Sequence, residues 1–276
     1  MWPLRGVPLL RPPGQNTLTM AAAPPPRALP WLDPGDPFPP VSDAWGDNDP
    51  APGLLAAGGD LSVDTLLQAY GQGVFPWFSE GQPPLWWSPD PRMVLPPTAF
   101  RLQHNLRKTI RSAWRAGRLE VRIDHAFERV IGACAQTPRP GQNGTWIVPD
   151  MVAAYTALHR AGHAHSVETW WDGELAGGLY CINTGAMVFG ESMFSHRSNA
   201  SKIALAALVC CATRWGVPLI DCQQETAHLA SMGAAPVPRE VFVRTVAEAL
   251  QGPRPDWRFD PVYWTTWLQH GGRTPT

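Results

Sequence analysis

The sequence predicts an α+β fold with a predominantly antiparallel sheet. Three strand-like segments follow one another in the middle of the chain, and the short linkers between them have the composition of hairpin turns. Segments with helical periodicity lie on both sides of these strands. With 276 residues, of which 44% are hydrophobic and 16% charged, the chain is long enough for one main domain plus a small one.

The first part of the chain is expected to contain a disordered extension and a small domain. Residues 1–29 are rich in proline, arginine and alanine and show no hydrophobic periodicity, which indicates disorder. Residues 30–90 form the predicted N-terminal domain. Its clearest element is a helix from Val63 to Tyr70, because Ser62 is a suitable N-cap and Gly71 follows the last turn.

Two aromatic clusters of this domain resist assignment to regular structure. They span Val74–Phe78 and Leu85–Arg92, and prolines interrupt both of them. The rings could pack together as a small core, or they could form a wall on which a base or an aromatic side chain stacks. Both interpretations stay open.

The larger domain is expected over residues 91–254 and begins with a basic segment. Residues 91–119 contain no Asp or Glu but include Arg92 and several further arginines. A helix over His104–Ala116 would bury an apolar face that includes Leu106. Another face would carry a row of basic side chains, namely Arg107, Arg111, Arg115 and Arg118, and Lys108 lies in the same segment. Such a row is either a solvated surface or a binding surface for an anion such as a phosphate backbone.

Local patterns predict the remaining elements of this domain. The predicted strands are Val121–Asp124, Ser166–Trp171, Glu174–Cys181, Met187–Ser192 and Leu219–Gln223. The predicted helices are Ala126–Ala135, Pro149–Leu158, Asn199–Trp215, Ala227–Met232 and Arg239–Leu250. The predicted hairpin turns are Asp172-Gly173 and Asn183-Thr184-Gly185. Residues 255–276 remain a tail without an assignment.

Composition and motifs argue against several classes of function. The formal net charge of -1 does not by itself indicate a nucleic-acid partner, and the only lysines are Lys108 and Lys202. The five cysteines form no C-x-x-C pair, which favours reduced thiols in a cytosolic protein. No apolar run is long enough to span a bilayer. No metal or cofactor is expected, since His163 and His165 lack further ligands at zinc spacing and no nucleotide-binding motif occurs.

Polar side chains interrupt two otherwise apolar strands. Glu191 follows Met187–Gly190, and Asp221 and Gln223 follow a short apolar run. In a strand Asp221 and Gln223 would point to the same side, because the side-chain period is two. A carboxylate and an amide beside a second carboxylate could hold an amine and accept a proton, or they could be a satisfied buried polar network. The helix that begins near Asn199 could also hold an anion at its first turn.

A set of motifs in a fixed order is specific where each motif alone is weak. The motifs are Phe75-Pro76-Trp77-Phe78, Trp86-Trp87-Ser88-Pro89-Asp90-Pro91-Arg92, Gly144-Thr145-Trp146-Ile147, Gly162-His163-Ala164-His165-Ser166-Val167-Glu168, Gly177-Gly178-Leu179-Tyr180, Gly190-Glu191-Ser192-Met193-Phe194-Ser195, Asn199-Ala200-Ser201-Lys202 and Leu219-Ile220-Asp221-Cys222-Gln223. Together they resemble the leucyl/phenylalanyl-tRNA–protein transferase family over roughly Trp31 to Leu250.

This resemblance implies a two-domain chain whose larger domain has an acetyltransferase-like α+β fold. It implies transfer of leucine or phenylalanine from leucyl-tRNA or phenylalanyl-tRNA to proteins that begin with Arg or Lys. The modified protein would be marked for degradation in the bacterial cytoplasm. No ATP or other cofactor would be needed, because the aminoacyl ester is already activated. The enzyme would act as a monomer and away from membranes.

The resemblance also implies roles for individual residues. Gln223 would contact the attacking amine, Asp221 would polarise Gln223 or drain the proton, and Glu191 would position an amino group. Trp77 and Trp146 would enclose the terminal adenosine and the aminoacyl group. The pocket for the transferred side chain would be lined by Leu179, Val188, Leu205, Leu208 and Ile220. The tRNA acceptor stem would contact the basic helix through phosphates, with Arg107, Lys108, Arg111 and Arg115 as the contacting residues.

Two other functions remain open from the sequence. An acyl-CoA N-acetyltransferase could share the fold, but such enzymes usually have a glycine in the loop before the helix, and His196–Lys202 contains none. A non-catalytic RNA-binding protein would explain the basic helix and the aromatic residues. It would leave the pair of Asp221 and Gln223 without a role.

Overall fold

The structure is a computed structural model that describes residues 28–137 and 147–273. The predicted disordered extension lies outside the described residues as far as residue 27. The same holds for residues 138–146, which include the predicted site residue Trp146, and for residues 274–276 of the tail.

Strands and helices are mixed along the described part of the chain. The strands are β1 (Trp31–Leu32), β2 (Leu54–Gly58), β3 (Phe75–Pro76), β4 (Leu85–Trp87), β5 (Arg92–Leu95), β6 (Leu119–Ile123), β7 (Ala164–Trp171), β8 (Glu174–Thr184), β9 (Met187–Ser195), β10 (Ile220–Asp221) and β11 (Ala235–Val237). The helices are α1 (Val63–Gly71), α2 (His104–Arg115), α3 (Phe127–Gln136), α4 (Pro149–Arg160), α5 (Ala200–Trp215), α6 (Ala227–Ser231), α7 (Arg239–Ala249) and α8 (Pro261–Gln269).

These strands form two sheets. The first four strands form a small sheet in the order β1-β2-β4-β3, and the other seven form a sheet in the order β11-β5-β10-β9-β8-β7-β6. Every neighbouring pair in the larger sheet is antiparallel except β9 and β10. The predicted fold class is therefore confirmed: a small N-terminal domain precedes a larger α+β domain with a mainly antiparallel sheet.

The two predicted hairpins of the central sheet are present. Between β7 and β8, Asp172 and Gly173 both have positive φ angles, 52° and 83°, as a two-residue hairpin turn of type I′ requires. Between β8 and β9, Gly185 has a φ of 54°, and a Cβ atom there would lie 2.6 Å from the carbonyl oxygen of Ala249. A glycine is thus required at this turn both by its backbone conformation and by the close approach of α7.

The main helices also form where the pattern predicts them. Ser62 caps α1 by accepting a hydrogen bond from the backbone N–H of Thr65 at 3.3 Å. In α2 the residues at helical spacing, Leu106, Ile110 and Ala113, are buried. The long helix α5 ends at Trp215, and the next residue, Gly216, caps it with a φ of 73°, in the left-handed conformation.

Three features differ from the sequence prediction or were not assigned by it. The aromatic clusters contain the short strands β3 and β4. Trp86 and Trp87 are buried, so these two rings of the second cluster belong to the core. The tail contains α8, in which Trp264 and Trp267 are fully buried. The predicted strand over Leu219–Gln223 is shorter, because β10 ends at Asp221.

The two domains share part of their hydrophobic core. Tyr70 and Phe75 of the N-terminal domain belong to the same buried cluster as Phe189 of β9 and Phe242 of α7. The chain passes from the small sheet to the large one between β4 and β5, and Arg92 is the first residue of β5. The junction of the domains therefore lies directly against the centre of the large sheet.

Candidate active site

A cavity of about 510 Å³ opens where the parallel pair of β9 and β10 in the large sheet ends. Strand β10 stops at Asp221, whereas β9 continues from Phe189, its partner in the pairing, to Ser195. The residues that follow this point on both strands, Gly190–Met193 and Asp221–Gln224, line the cavity. Trp77 of the N-terminal domain and Leu205 of α5 line its other walls.

A β-bulge places Glu191 at this opening. Cys181 pairs with Gly190, but the preceding residue of β8, Tyr180, pairs with Ser192. Glu191 is therefore the extra residue of β9 and has no partner in the ladder. A bulge bends the strand locally and can direct a side chain away from the regular alternation. Here it directs a carboxylate toward the cavity.

Three polar side chains surround the carboxylate of Glu191. Tyr70 of α1 donates its hydroxyl to Oε1 at 2.8 Å, and Tyr155 of α4 donates to Oε2 at 3.3 Å. The two tyrosine hydroxyls are 2.6 Å apart. Gln223 donates from Nε2 to Oε1 at 3.3 Å. One donor comes from the N-terminal domain, so the network is complete only when both domains are docked.

The same surroundings shift the protonation of Glu191. Apart from the face that borders the cavity, the side chain is enclosed by protein, and this loss of hydration raises its pKa to about 8. The negative charge of Asp221 acts in the same direction, while the hydrogen bonds from Tyr70 and Tyr155 oppose the shift. Glu191 can therefore exchange a proton near neutral pH.

A fully buried ion pair lies behind the cavity. Arg92 donates from Nε to Oδ1 of Asp221 at 2.8 Å and from Nη2 to Oδ2 at 2.6 Å, and both side chains have 0% exposure. Nη1 of Arg92 donates to the carbonyl oxygen of Gly73 at 3.1 Å. The guanidinium lies over the rings of Phe75 and Phe242, at 4.7 and 4.5 Å from their centroids. The pair thus joins β5, β10, α7 and the N-terminal domain.

Asp221 contacts Gln223 through the backbone. Oδ1 of Asp221 accepts a hydrogen bond from the backbone N–H of Gln223 at 3.0 Å, and Gln223 has a φ of 55°. The expectation that Asp221 and Gln223 point to the same side of a strand is therefore wrong, because Gln223 lies beyond the end of β10. Both residues still border the same cavity, and the amide of Gln223 faces Glu191 rather than the carboxylate of Asp221.

Most of the side chains assigned to the substrate pocket line this cavity. They are Trp77, Leu179, Leu205, Leu208 and Ile220. Val188 is not among the residues that line the cavity. It pairs with Ile220 in the β9–β10 ladder and has 0% exposure, and its place in the substrate pocket stays a prediction. Trp146 lies outside the described residues.

The basic helix keeps most of its predicted character. Lys108 and Arg115 are exposed and Arg107 and Arg111 are half-buried, and within the described part of the chain none of the four forms an ion pair. Arg118 differs, because it lies beyond the end of α2 and forms a bidentate pair with Asp172.

Arg92 does not belong to this basic surface, because it is buried in the pair with Asp221. One feature of the sequence indicates that Arg92 is buried. Arg92 precedes Met93, Val94 and Leu95, so it is the charged residue of an otherwise apolar strand.

Comparison with known proteins identifies the family. The profile described as leucyl/phenylalanyl-tRNA protein transferase matches residues 94–247, and the profile of the N-terminal domain of that transferase matches residues 59–90. A protein of Polaromonas sp. strain JS666 named leucyl/phenylalanyl-tRNA–protein transferase is 60% identical over 239 residues, which is 87% of this chain and 94% of the relative. The chain belongs to the leucyl/phenylalanyl-tRNA–protein transferase family.

Family membership makes the chain an aminoacyltransferase. A second transferase of the same name, from Albidiferax ferrireducens, is 60% identical over 245 residues, 89% of this chain and 96% of the relative. The solved structure of L-PGS from Bacillus licheniformis covers 79% of this chain and 73% of its own at 11% identity, but its TM-score of 0.35 is too low to establish a shared fold.

In residues 28–137 and 147–273, no helix is long and apolar enough to cross a membrane. Over the same ranges, no three His, Cys, Asp or Glu side chains are grouped so that they could hold a metal ion.

Tyr70 and Tyr155 are residues of the candidate site that sequence reasoning missed. Both are fully buried, and in the sequence each looks like a core aromatic on the apolar face of a helix. Only the tertiary structure brings their hydroxyls to one carboxylate. No local signal in the chain could have paired them.

The buried pair of Arg92 and Asp221 gives a prediction about stability. Arg92→Met or Asp221→Leu alone leaves an unpaired buried charge, which is expected to lower the free energy of unfolding by about 3–5 kcal/mol. The double variant removes both charges and is expected to recover much of that loss. Urea unfolding of the four proteins measures the coupling. Strictly additive losses would contradict the assigned pairing.

Glu191 gives a prediction about the pH dependence of stability. Its pKa is raised in the folded protein to about 8, from an ordinary value of 4.5. Between these two pKa values the unfolded chain releases a proton that the folded protein retains. The contribution of Glu191 to the free energy of unfolding therefore falls as pH rises from about 4.5 to 8, and it is constant above that pH.

Urea unfolding of wild type and Glu191→Gln across this range measures that contribution as the difference between the two proteins. The free energy of unfolding of wild type minus that of Glu191→Gln is expected to fall as pH rises from about 4.5 to 8. Glu248→Gln, which changes an exposed glutamate on α7, is the surface control. A difference that stays constant from pH 4.5 to 8 would show that the surroundings of Glu191 do not retain its proton.

Proposed function

We propose that this enzyme transfers leucine or phenylalanine from aminoacyl-tRNA to the α-amine of proteins that begin with Arg or Lys. The transfer would mark the acceptor for degradation in the cytoplasm. The observation that carries the proposal is the two-sided cavity at the end of β9 and β10. One side is apolar, and the other presents the Glu191 network and the amide of Gln223.

The chemistry requires a neutral amine at the ester carbonyl. The nitrogen of the acceptor attacks the carbonyl carbon, the bond from that carbon to the ribose oxygen breaks, and the released hydroxyl of the tRNA gains a proton. A reference α-amine has a pKa of about 7.7–8.0. Because burial raises the pKa of Glu191 to about 8, a proton can pass between this carboxylate and an amine at little cost in free energy.

Gln223 is suited to orient the attacking amine. Its Nε2 donates to Glu191, and within the described residues its Oε1 accepts no hydrogen bond, so that oxygen can accept one from an amine in the cavity. Asp221 then acts as a positioning residue. It holds the backbone N–H of Gln223, and it is itself neutralised by Arg92. This differs from a relay in which Asp221 polarises the amide side chain.

The apolar side of the cavity is suited to a leucine or phenylalanine side chain. Leu179, Leu205, Leu208 and Ile220 are aliphatic, and none carries a polar group that would require a matching partner on the substrate. A pocket of this kind distinguishes side chains that differ by one methylene by only about 1–3 kcal/mol. Acceptance of two apolar amino acids is therefore the expected behaviour.

The unpaired basic residues of α2 support contact with the tRNA body. Arg107, Lys108, Arg111 and Arg115 form one surface without carboxylates, and such a surface repels itself unless an anion binds. Contacts to phosphates would place the acceptor stem without reading its sequence. A surface of this kind serves an enzyme that uses more than one tRNA.

A transfer assay tests the proposed function. The enzyme is incubated with radiolabelled leucyl-tRNA and a peptide that begins with Arg, beside the same peptide with an acetylated α-amine and a reaction that contains labelled acetyl-CoA instead. Label is expected only on the free-amine peptide and only from leucyl-tRNA. Gln223→Ala is expected to bind leucyl-tRNA but to transfer about 100-fold more slowly. Transfer from acetyl-CoA alone would refute the proposal.

A charge-reversal variant tests the tRNA surface. Arg107→Glu with Arg111→Glu is expected to raise KM for leucyl-tRNA and to reduce the slope of log KM against log salt by about 0.9 for each lost phosphate contact. The matched control is Arg244→Glu with Arg258→Glu, because both arginines are exposed and lie outside α2. Equal salt slopes in wild type and the α2 variant would remove this helix from the tRNA interface.

A further inference from the structure

Lys202 occupies a position that the fold alone does not explain. It is the third residue of α5, so it lies in the first turn, where the helix dipole favours negative rather than positive charge. Its side chain is half-buried, and within the described part of the chain its ammonium group has no hydrogen bond and no ion pair. A lysine is rarely kept in such surroundings without a partner.

The position of Lys202 relative to the cavity follows from helix geometry. Residues three apart lie on the same face of a helix, and Leu205 and Leu208 of α5 both line the cavity. Lys202 precedes Leu205 by three residues. Its side chain therefore lies at the end of the cavity wall that α5 forms, and this end is the one nearer to solvent.

A second nitrogen group faces the same place. His228 of α6 lines the cavity, and no carboxylate pairs with it among the described residues. Partial burial and the positive charge of Lys202 lower the pKa of His228, so its imidazole is neutral near pH 7 and offers one N–H donor. An ammonium group without a carboxylate and an N–H donor at the same rim are groups that can bind a phosphate oxygen.

We propose that Lys202 and His228 form a phosphate-binding site at the cavity rim and that it holds the last internucleotide phosphate of the aminoacyl-tRNA. This inference rests on the proposed function, because the aminoacyl ester inside the cavity is joined to that phosphate through one ribose. Lys202 supplies the charge and His228 supplies an N–H donor. The contact fixes the ester relative to Glu191 and Gln223, whereas α2 contacts the body of the tRNA.

The site is tested by binding without transfer. Calorimetry compares the trinucleotide CCA, which carries internucleotide phosphates, with adenosine, which carries none. Lys202→Gln is expected to weaken CCA binding about tenfold while adenosine binding changes less than about twofold. Lys202→Arg keeps the charge and is expected to retain most of the affinity. Arg244→Gln removes one exposed positive charge from α7 and is the matched control.

His228→Gln and the salt dependence give independent readouts. His228→Gln is expected to weaken CCA binding but not adenosine binding. The slope of log Kd for CCA against log salt is expected to fall by about 0.7 in Lys202→Gln, as for one phosphate contact on a single strand. Thermal unfolding of Lys202→Gln is expected at the wild-type temperature or above it, because a cation leaves the positive end of α5.

Three results would overturn the site. They are unchanged CCA binding in Lys202→Gln, an equal loss for CCA and adenosine, and an equal loss in Arg244→Gln. Each would appear whether or not the enzyme transfers leucine. Wild-type protein that binds CCA through Lys202 but transfers nothing from leucyl-tRNA would instead refute the proposed function and leave the phosphate site standing.

Discussion

The buried ion pair of Arg92 and Asp221 is the interaction on which the active site depends. Two charges without solvent contact need further hydrogen bonds to be stable, and here Arg92 also donates to Gly73 while Asp221 also accepts from the backbone of Gln223. Gly73 belongs to the N-terminal domain, and Gln223 borders the cavity. The same pair of charges therefore supports both the docking of the two domains and the placement of Gln223.

The N-terminal domain also contributes directly to the chemistry of the site. Tyr70 gives Glu191 its shortest hydrogen bond, and Trp77 forms part of the cavity wall. The bulge in β9 is the matching feature of the larger domain, since it releases Glu191 from the ladder and lets the side chain meet Tyr70 and Tyr155. A carboxylate held between two domains keeps its raised pKa only while both remain in place.

The sequence predicted what local pattern determines. The hairpin turns, the long helices and the polar residues in apolar strands, Glu191 and Asp221 among them, are visible because each has a spacing or a composition of its own. What the sequence missed depends on tertiary contact. Arg92 was grouped with a basic surface because charge runs are counted along the chain, whereas its burial is decided by Asp221, 129 residues away.

The interior of the cavity and its rim differ in charge. Inside, Arg92 neutralises Asp221 and burial favours the protonated form of Glu191, so the cavity itself presents little negative charge to an aminoacyl ester. The unpaired cations lie outside it, on α2 and at Lys202 beside α6. In the proposed reaction a phosphate chain would be attracted to the rim and excluded from the apolar interior, where its desolvation would be costly. The interior would hold the acceptor amine in its neutral form, the only protonation state that can attack the ester.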